Sequence, residues 1–229
     1  GLLAAPGRHL LAVGDDWQSI NRFAGADINS MLAFEDTFGT AVELQLTRTF
    51  RCPPEIVRFS SEFVQRNPDQ IRKSVSTALP EPEDGSVYLR LADINKETIA
   101  AELERIEALA QANEGNRRPT VLALGRYSFD RDEIPSSLVP EGIDFSFKTI
   151  HAAKGLEADY VLVLNLRSRD WGFPSTVVDD PILGLAMAKP DSFLFAEERR
   201  LFYVALTRAK TQVVLLTPSS NPSPFIVEA

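Results

Sequence analysis

Four short segments of the 229-residue sequence carry charged, amide and aromatic residues in patterns that could do chemistry on a phosphate ester. The first, VGDDWQSI over residues 13–20, places two aspartates and a glutamine directly after a short apolar run. Acidic residues in such a position can hold a metal ion or orient a phosphate-bound water, and a glutamine can sense a γ-phosphate. A solvated strand-to-helix turn capped by an aspartate has the same composition, so this segment alone leaves both interpretations open.

The other three segments are ambiguous in the same way when each is taken alone. In TRTFR over residues 47–51, an aromatic ring beside arginines could stack on a base, although Phe50 could equally belong to the core. In KTIHAAKGLE over 148–157, small residues and a glycine would let backbone amides approach a phosphate or a sugar, but a plain turn fits as well. In EERRLFYVALTRAK over 197–210, early glutamates and late cations follow the order that a helix dipole favours.

One pattern is absent from the sequence. No glycine is followed by lysine, which excludes the G-x-x-x-x-G-K-[ST] phosphate-binding loop. The Asp-Glu pair at Asp132 and Glu133 follows a polar stretch rather than the hydrophobic strand that would present it to Mg²⁺. We therefore expect that this chain alone cannot bind ATP in the P-loop manner.

The elements that position these segments alternate between strands and helices, which predicts an α/β fold with a parallel sheet flanked by helices. The strand at 160–166 is apolar on both faces, so we expect it to be central. The prolines and serines of 218–224 indicate a tail. The predicted strands are 9–13, 42–46, 87–91, 120–124, 145–150, 160–166 and 212–216. The predicted helices are 29–38, 53–64, 192–210 and one with an apolar stripe over 99–109 that stops at 113–115.

Composition restricts the class of protein. The chain has 24 lysines and arginines against 32 aspartates and glutamates, a formal net charge of −8, whereas a free-standing nucleic-acid binder usually carries a basic field. Any nucleic-acid role must therefore rest on local patches or on regions outside this chain. The lone Cys52 excludes an intrachain disulfide, the sequence has no cysteine metal cluster, and no signal peptide or membrane span is evident. We expect a soluble cytoplasmic protein with no metal site and no membrane partner.

Taken together and in this order, the four segments resemble motifs III to VI of the UvrD/Rep-like superfamily 1 DNA helicases. Residues 13–26 look like motif III, 46–52 like motif IV, 149–157 like motif V and 197–210 like motif VI. The family usually carries a large insertion ahead of motif V, and the 96 positions from Arg51 to Phe147 leave no room for one. Within the family, the chain is therefore most similar to the DNA helicase IV branch.

The resemblance implies a domain organisation. Residues 1–46 would be the end of a first RecA-like domain, with its final strand and helix. Residues 47–217 would be the whole second RecA-like domain, and 218–229 a tail. The implied protein is an ATP-dependent helicase or translocase that moves 3′ to 5′ on single-stranded or partly duplex DNA, in DNA repair or a related process. ATP with Mg²⁺ would be held mainly by the preceding region, and protein partners are not implied.

The resemblance also implies roles for individual residues. Gln18 would contact the γ-phosphate, and Arg51 and Arg208 would be the arginines that stabilise the transition state of hydrolysis. Phe50 would pack on adenine, and Glu157, in the segment that contains Gly155, would bind the ribose.

For DNA, the family implies that Phe23 stacks on a base and that Thr149 and His151 contact the backbone. Asn21 and Ala24 depart from the tyrosine and arginine that the family often has beside the base-stacking position. Two alternatives stay open. One is a non-catalytic interaction module that keeps a helicase-like fold, and the other is a metal-dependent phosphatase or phosphoacceptor built on Asp15 and Asp16.

Overall fold

The computed structural model describes residues 9–25, 28–92, 95–114, 117–134, 136–177 and 192–229. The strands in chain order are β1 (Arg48–Thr49), β2 (Ser76–Thr77), β3 (Val87–Leu91), β4 (Thr120–Gly125), β5 (Asp144–Thr149), β6 (Ala158–Val163) and β7 (Ala209–Thr217). The helices are α1 (Asn29–Leu32), α2 (Phe34–Phe38), α3 (Pro54–Val64), α4 (Lys96–Glu114), α5 (Ala196–Leu206) and α6 (Pro224–Glu228).

The last five strands form one parallel sheet in the order β3-β7-β6-β4-β5, and β1 pairs with β2 in a separate parallel pair. This confirms the predicted α/β fold with a parallel sheet flanked by helices. The predicted central strand is also confirmed, because β6 occupies the middle position and all six of its residues are buried.

Alternate residues of β6 point to opposite faces of the sheet, and their apolar side chains are covered by helices on both faces. Val161 and Val163 belong to a core that includes α3 and α5, whereas Tyr160 and Leu162 pack in a second core with α4. Local pattern explains the two long flanking helices. Pro54 opens α3, where its missing donor costs nothing, and the apolar residues of α4 recur every three or four positions.

Two predicted strands are wrong. Residues 9–13 and 42–46 have no strand pairing in the structure, and their large apolar side chains are 85–88% exposed at Leu11, Val13, Val42, Leu44 and Leu46. The physical reason is that alternation of apolar residues makes a strand only where a neighbouring strand completes the hydrogen-bond ladder. Within the described residues, neither segment has such a neighbour.

The helix predicted over 192–210 is shorter than expected, because α5 ends at Leu206 and β7 begins at Ala209. Side chains end it by satisfying its last carbonyls. The hydroxyl of Thr207 donates to the carbonyl of Tyr203 at 2.8 Å, and Nε of Arg208 donates to that of Val204 at 2.9 Å. The predicted helix at 29–38 is divided into α1 and α2, and Gly39 ends it with a φ of +89°.

The segment predicted as a tail is packed against the domain. Ser223 caps α6 by accepting from the amide of Phe225 at 3.2 Å, and the Phe225 ring is completely buried in the core shared with α3 and α5. Arg199 of α5 also binds Glu228 through two hydrogen bonds of 2.7 and 2.5 Å. The composition of the segment indicated only its turns and not this packing. Across the described ranges, no helix is long and apolar enough to span a membrane.

Candidate functional site

Arg51 and Glu157 form the centre of an ion-pair cluster at the amino ends of β6 and β7. Nε of Arg51 donates to Oε2 of Glu157 at 2.9 Å, and Nζ of Lys210 lies 3.0 Å from Oε1 of the same carboxylate. Hydrogen bonds from Arg51 and then Lys210 lower the pKa of Glu157. The carboxylate is therefore ionised and remains 43% exposed, which leaves it open to a ligand as well as to its two cations.

Arg208 is held in a different environment, with only 1% of its surface exposed. Its Nε donates to the carbonyl of Val204, its Nη1 to that of Leu156 at 3.2 Å, and its Nη2 to Oγ1 of Thr207 at 3.1 Å. Burial lowers the pKa of Arg208, and the positive charge of Arg51 lowers it further. A buried arginine close to a second arginine is an arrangement that an anion would stabilise.

The two arginines meet at Thr207. Nη1 of Arg51 donates to the carbonyl of Thr207 at 3.4 Å, while Arg208 donates to the hydroxyl of the same residue. The thiol of Cys52 also contacts this carbonyl, at 3.6 Å, and burial raises the pKa of the thiol to about 11. The sequence places Arg51 and Arg208 157 positions apart, and the fold brings both to one residue.

Phe50 lies on the surface beside this cluster, with 73% of the residue exposed. The guanidinium of Arg48 lies over its ring, 5.3 Å from the centroid. The alternative in which Phe50 is a core residue is therefore wrong, and its exposed ring could accept a planar partner. Gly155, in the turn that leads to Glu157, has a φ of +88° and open space where a side chain would stand, so the backbone conformation there favours glycine.

Gln18 belongs to a short 3-10 turn, Asp16–Gln18, that packs against α5. Its Nε2 donates to Oδ2 of Asp15 at 2.5 Å. Trp17, in the same turn, is 1% exposed and makes an edge contact with the ring of Tyr203, 5.3 Å between centroids. Burial raises the pKa of Tyr203, and the charge of Asp15 raises it further. Tyr203 therefore lies between the turn that contains Gln18 and the C-terminal end of α5, which Arg208 follows.

Asp15 and Asp16 are both bound to one lysine, and only Asp15 is partly exposed, with 34% of its side chain in contact with solvent. Nζ of Lys73 lies 2.8 Å from Oδ1 of Asp15 and also forms an ion pair with Asp16. Asp16 is completely buried, and its Oδ2 accepts from the amide of Ile71 at 2.8 Å. This arrangement does not fit the phosphatase alternative, which needs an open pair of carboxylates. In the part of the chain that the structure describes, no group of three or more His, Cys, Asp or Glu side chains could hold a metal ion.

The residues expected to contact DNA lie near the carboxyl end of β5. Thr149 ends this strand, and its hydroxyl accepts from the amide of Ala152 at 3.3 Å. The pKa of His151 is lowered to about 4, chiefly by burial and then by the positive charge of Arg126, while a hydrogen bond with the backbone of Ile20 opposes both effects. Phe23 belongs to the 3-10 turn Arg22–Ala24, but its side chain lies outside the described part of the structure.

The turn that carries Phe23 is attached to α5. The amide of Arg22 donates to Oε1 of Glu197 at 3.1 Å, and its Nε lies 3.3 Å from Oε2. One turn further along α5, Nε of Arg200 donates to the carbonyl of Ser19 at 2.6 Å. The segments predicted as motifs III and VI are therefore joined by direct hydrogen bonds.

Comparison with known proteins identifies the domain. Residues 146–220, which include the predicted motifs V and VI, match the family model of the UvrD-like helicase C-terminal domain. Residues 146–220 are thus similar to a UvrD-like helicase C-terminal domain. This confirms the resemblance to the UvrD/Rep-like superfamily 1 DNA helicases.

Two proteins named as DNA helicases are similar to the chain. The chain is 35% identical to DNA helicase IV of Escherichia coli over 222 residues, 95% of this chain and 31% of that protein. It is 35% identical to the ATP-dependent DNA helicase PcrA of Bacillus subtilis over 75 residues, 33% of this chain and 10% of that protein. The chain thus spans about a third of the length of helicase IV. The fold was also compared with the crystal structure of the C-terminal domain of a possible DNA helicase from Lactobacillus plantarum. The superposition covers 78% of this chain and 92% of that one, with a TM-score of 0.43 and 13% sequence identity.

Sequence reasoning missed three residues that the structure places at the centre of these contacts. Thr207 joins the two arginines, Lys210 is the second cation on Glu157, and Lys73 binds the aspartates that precede Gln18. Thr207 and Lys210 lie within the recognised motif VI, so their proximity to Arg208 was an available signal. Lys73 lies in a stretch for which neither a helix nor a strand was predicted, and no sequence signal links it to Asp15, 58 positions away.

Proposed function

We propose that this chain is the C-terminal part of an ATP-dependent DNA helicase that moves 3′ to 5′ along single-stranded DNA. The observation that carries the proposal is the convergence of Arg51 and Arg208 on Thr207, directly beside the exposed carboxylate of Glu157. Phosphoryl transfer is catalysed chiefly by positioned positive charge, and one well-placed arginine can contribute about 10³- to 10⁵-fold in rate.

ATP fits this site as a substrate shared with another domain. The exposed ring of Phe50 would pack on adenine, and the carboxylate of Glu157 would accept a hydrogen bond from a ribose hydroxyl. Arg51 and Arg208 would then face the γ-phosphate. The phosphate-binding loop and the ligands of Mg²⁺ would come from a preceding RecA-like domain, of which residues 1–46 would be the end. The exposed apolar side chains of residues 42–46 support this division, because an exposed segment with three large apolar side chains calls for a partner surface.

Coupling between ATP and DNA would pass through the packed contacts of the 3-10 turn that carries Gln18. In the proposal, Gln18 contacts the γ-phosphate from a turn whose Trp17 packs on Tyr203, one helical turn before Arg208. Closure of the cleft around ATP would bring Gln18 and both arginines to the same phosphate, and opening after hydrolysis would release them. A nucleotide that prefers the closed state shifts the population in this way.

On the DNA side, Phe23 would stack on a base while Thr149 and His151 contact the backbone. A histidine with a pKa of about 4 is neutral at pH 7, so His151 would act as a hydrogen-bond donor rather than as a positive charge. Its loss should therefore weaken DNA binding without changing the salt dependence of the affinity.

The test is Arg208→Ala in the complete protein that contains this chain, with Arg118→Ala as a control at an exposed arginine outside the four sequence segments. We expect Arg208→Ala to lower DNA-stimulated ATP hydrolysis at least tenfold and to leave single-strand affinity nearly unchanged, while Arg118→Ala changes neither. Equal turnover in Arg208→Ala and the parent would contradict the catalytic role and favour the non-catalytic interaction module.

A second measurement concerns the chain by itself. Without a phosphate-binding loop we expect no DNA-stimulated ATP hydrolysis above background from the 229 residues alone. Robust turnover by the purified chain would show that the loop is not essential and would overturn the proposed division of labour between two domains.

A further inference from the structure

Three aromatic side chains form a partly exposed cluster that none of the proposed roles uses. We call Tyr127, Phe129 and Trp171 the aromatic platform. The rings of Tyr127 and Phe129 are stacked, 5.1 Å between centroids and 9° from parallel, and the Trp171 ring makes edge contacts with both at 5.2 and 6.2 Å. Phe129 remains 46% exposed and Trp171 53% exposed, so two large rings of the platform face solvent.

A buried polar network holds the platform in place. Asn165 is 1% exposed and adopts a left-handed φ of 58°, which is costly for a residue other than glycine. From this position, its Nδ2 donates to the carbonyl of Trp171 and to Oδ1 of Asp130, both at 2.9 Å. The other oxygen of Asp130 accepts from the amide of Tyr127 at 2.9 Å. The network therefore joins the two chain segments that present the rings.

The stacked pair is also anchored from the helix side. The guanidinium of Arg126 lies over the Tyr127 ring, 4.9 Å from its centroid, and Arg126 binds Glu198 of α5 at 2.8 Å. The hydroxyl of Tyr127 shares a 2.5 Å hydrogen bond with Ser175. Rings fixed on so many sides lose little conformational freedom on binding a ligand, which favours affinity.

The platform lies at the same edge of the sheet as the residues proposed to contact DNA. Tyr127 follows the carboxyl end of β4, where Gly125 is the register partner of Thr149 on β5. Trp171 follows the carboxyl end of the neighbouring strand β6. A strand of nucleic acid that contacts Thr149 thus has the platform beside it, one β-strand away.

Size and surroundings decide what kind of ligand fits. Stable protein–protein interfaces bury about 800 Å² per partner, whereas the platform offers two rings among exposed polar neighbours, listed here as Ser128, Arg131, Asp132, Ser168, Arg169 and Asp170. A single unstacked base needs only one ring face, and exposed arginines beside it suit the flanking phosphates.

We propose that the aromatic platform binds an unstacked base of a single nucleic-acid strand. The base extends the Tyr127–Phe129 stack on the free face of Phe129, with Trp171 as the side wall. The inference rests on the proposed DNA-binding function and adds a base contact distinct from the one expected of Phe23. Because every base has an aromatic face, the contact is independent of sequence.

The experiment uses intrinsic fluorescence of the 229-residue chain, which contains two tryptophans. Trp17 is 1% exposed and serves as the shielded reference, while Trp171 is open to iodide quenching. The chain is titrated with an oligothymidine and with an abasic oligonucleotide of the same length. We expect the oligothymidine to change Trp171 emission and protect it from iodide, and the abasic strand to bind about tenfold more weakly without protecting it.

Variants then test which rings of the platform bind the base. Phe129→Ala and Trp171→Ala should each weaken oligothymidine binding about tenfold and leave abasic binding unchanged. Phe38→Ala removes a ring of similar exposure, 48%, on α2 and should change neither. Circular dichroism melting checks that each variant is folded.

Several results would contradict the proposal that the aromatic platform binds a base. Equal affinity for the two oligonucleotides would show that the chain binds only the nucleic-acid backbone. If neither oligonucleotide binds, the proposed site does not exist. Unchanged DNA affinity in Phe129→Ala and Trp171→Ala, with altered sedimentation of either variant, would identify a protein contact instead. All of these leave the proposed ATPase role intact, because that role fails only if Arg208→Ala in the complete protein keeps its turnover.

Discussion

At the scale of single residues, the two arginines at Thr207 differ in what they could do during a catalytic cycle. Arg51 is about one third exposed, and the solvated ion pair with Glu157 is its main restraint, so it can exchange one anion for another at small cost. Arg208 is buried and makes three hydrogen bonds, one of which, to the carbonyl of Val204, helps to end α5. We infer that Arg51 moves toward a bound phosphate and that Arg208 supplies a fixed positive charge.

His151 should make folding stability depend on pH in a defined window. The pKa of His151 falls from 6.5 to about 4 on folding. Between these two pH values the unfolded chain therefore binds a proton on this histidine and the folded chain does not. Stability contributed by this histidine is complete above pH 6.5 and is lost as pH falls toward 4, by at most about 3 kcal/mol. Urea unfolding at pH 7 and pH 5 should show a smaller loss in His151→Gln than in the parent. Equal losses of stability in His151→Gln and the parent would contradict the lowered pKa of His151.

Lys73 should matter for stability although it lies in a loop. Lys73→Met leaves the buried carboxylate of Asp16 without a counter-charge, and breaking a buried pair in this way costs roughly 3–5 kcal/mol. The same substitution at the exposed Lys96 should change the free energy of unfolding by less than about 0.5 kcal/mol. Chemical denaturation of both variants measures the difference. A Lys73→Met chain as stable as Lys96→Met would mean that Asp16 does not depend on this lysine.

At the scale of elements, α6 is a structural part of the domain rather than an appendage. Phe225→Ala removes a completely buried ring that packs on Phe63, Phe173 and Phe202, and such a cavity costs about 3–5 kcal/mol. Val227 in the same helix is 74% exposed, so Val227→Ala should cost under about 0.5 kcal/mol. Thermal and urea unfolding of the two variants provide the comparison. Equal stability would show that α6 does not contribute to the core.

The elements also show what a sequence can predict. Local patterns were sufficient for α3, α4 and β6, because a proline in the first turn, a three-to-four spacing and a two-sided apolar run each decide the structure locally. They failed at 9–13 and 42–46, where strand formation depends on a neighbour.

Within the site, the motifs located Arg51, Glu157 and Arg208 but not their mutual contacts. The meeting at Thr207 and the ion pair of Lys73 with Asp15 join residues far apart in sequence, and only the packing of the whole sheet brings them together.

At the scale of the whole molecule, the net charge of −8 is consistent with DNA contacts that are few and local. The aromatic platform and the neutral His151 would contribute stacking and hydrogen bonding rather than charge. Binding by stacking depends less on salt than binding by phosphate neutralisation does, because it releases fewer counterions. The acidic chain and its proposed DNA interface are therefore compatible.

The exposed apolar segment before β1 gives a prediction about the complete protein. Val42, Leu44 and Leu46 are 86–88% exposed in this chain, and we propose that they pack against a preceding RecA-like domain. Amides of residues 42–46 should exchange hydrogen rapidly in the isolated chain and at least tenfold more slowly in the complete protein, because a partner strand would supply their hydrogen bonds. Amides of β6, central in the sheet, serve as the control and should be slow in both. Fast exchange of 42–46 in both proteins would leave these side chains solvated and contradict the proposed packing.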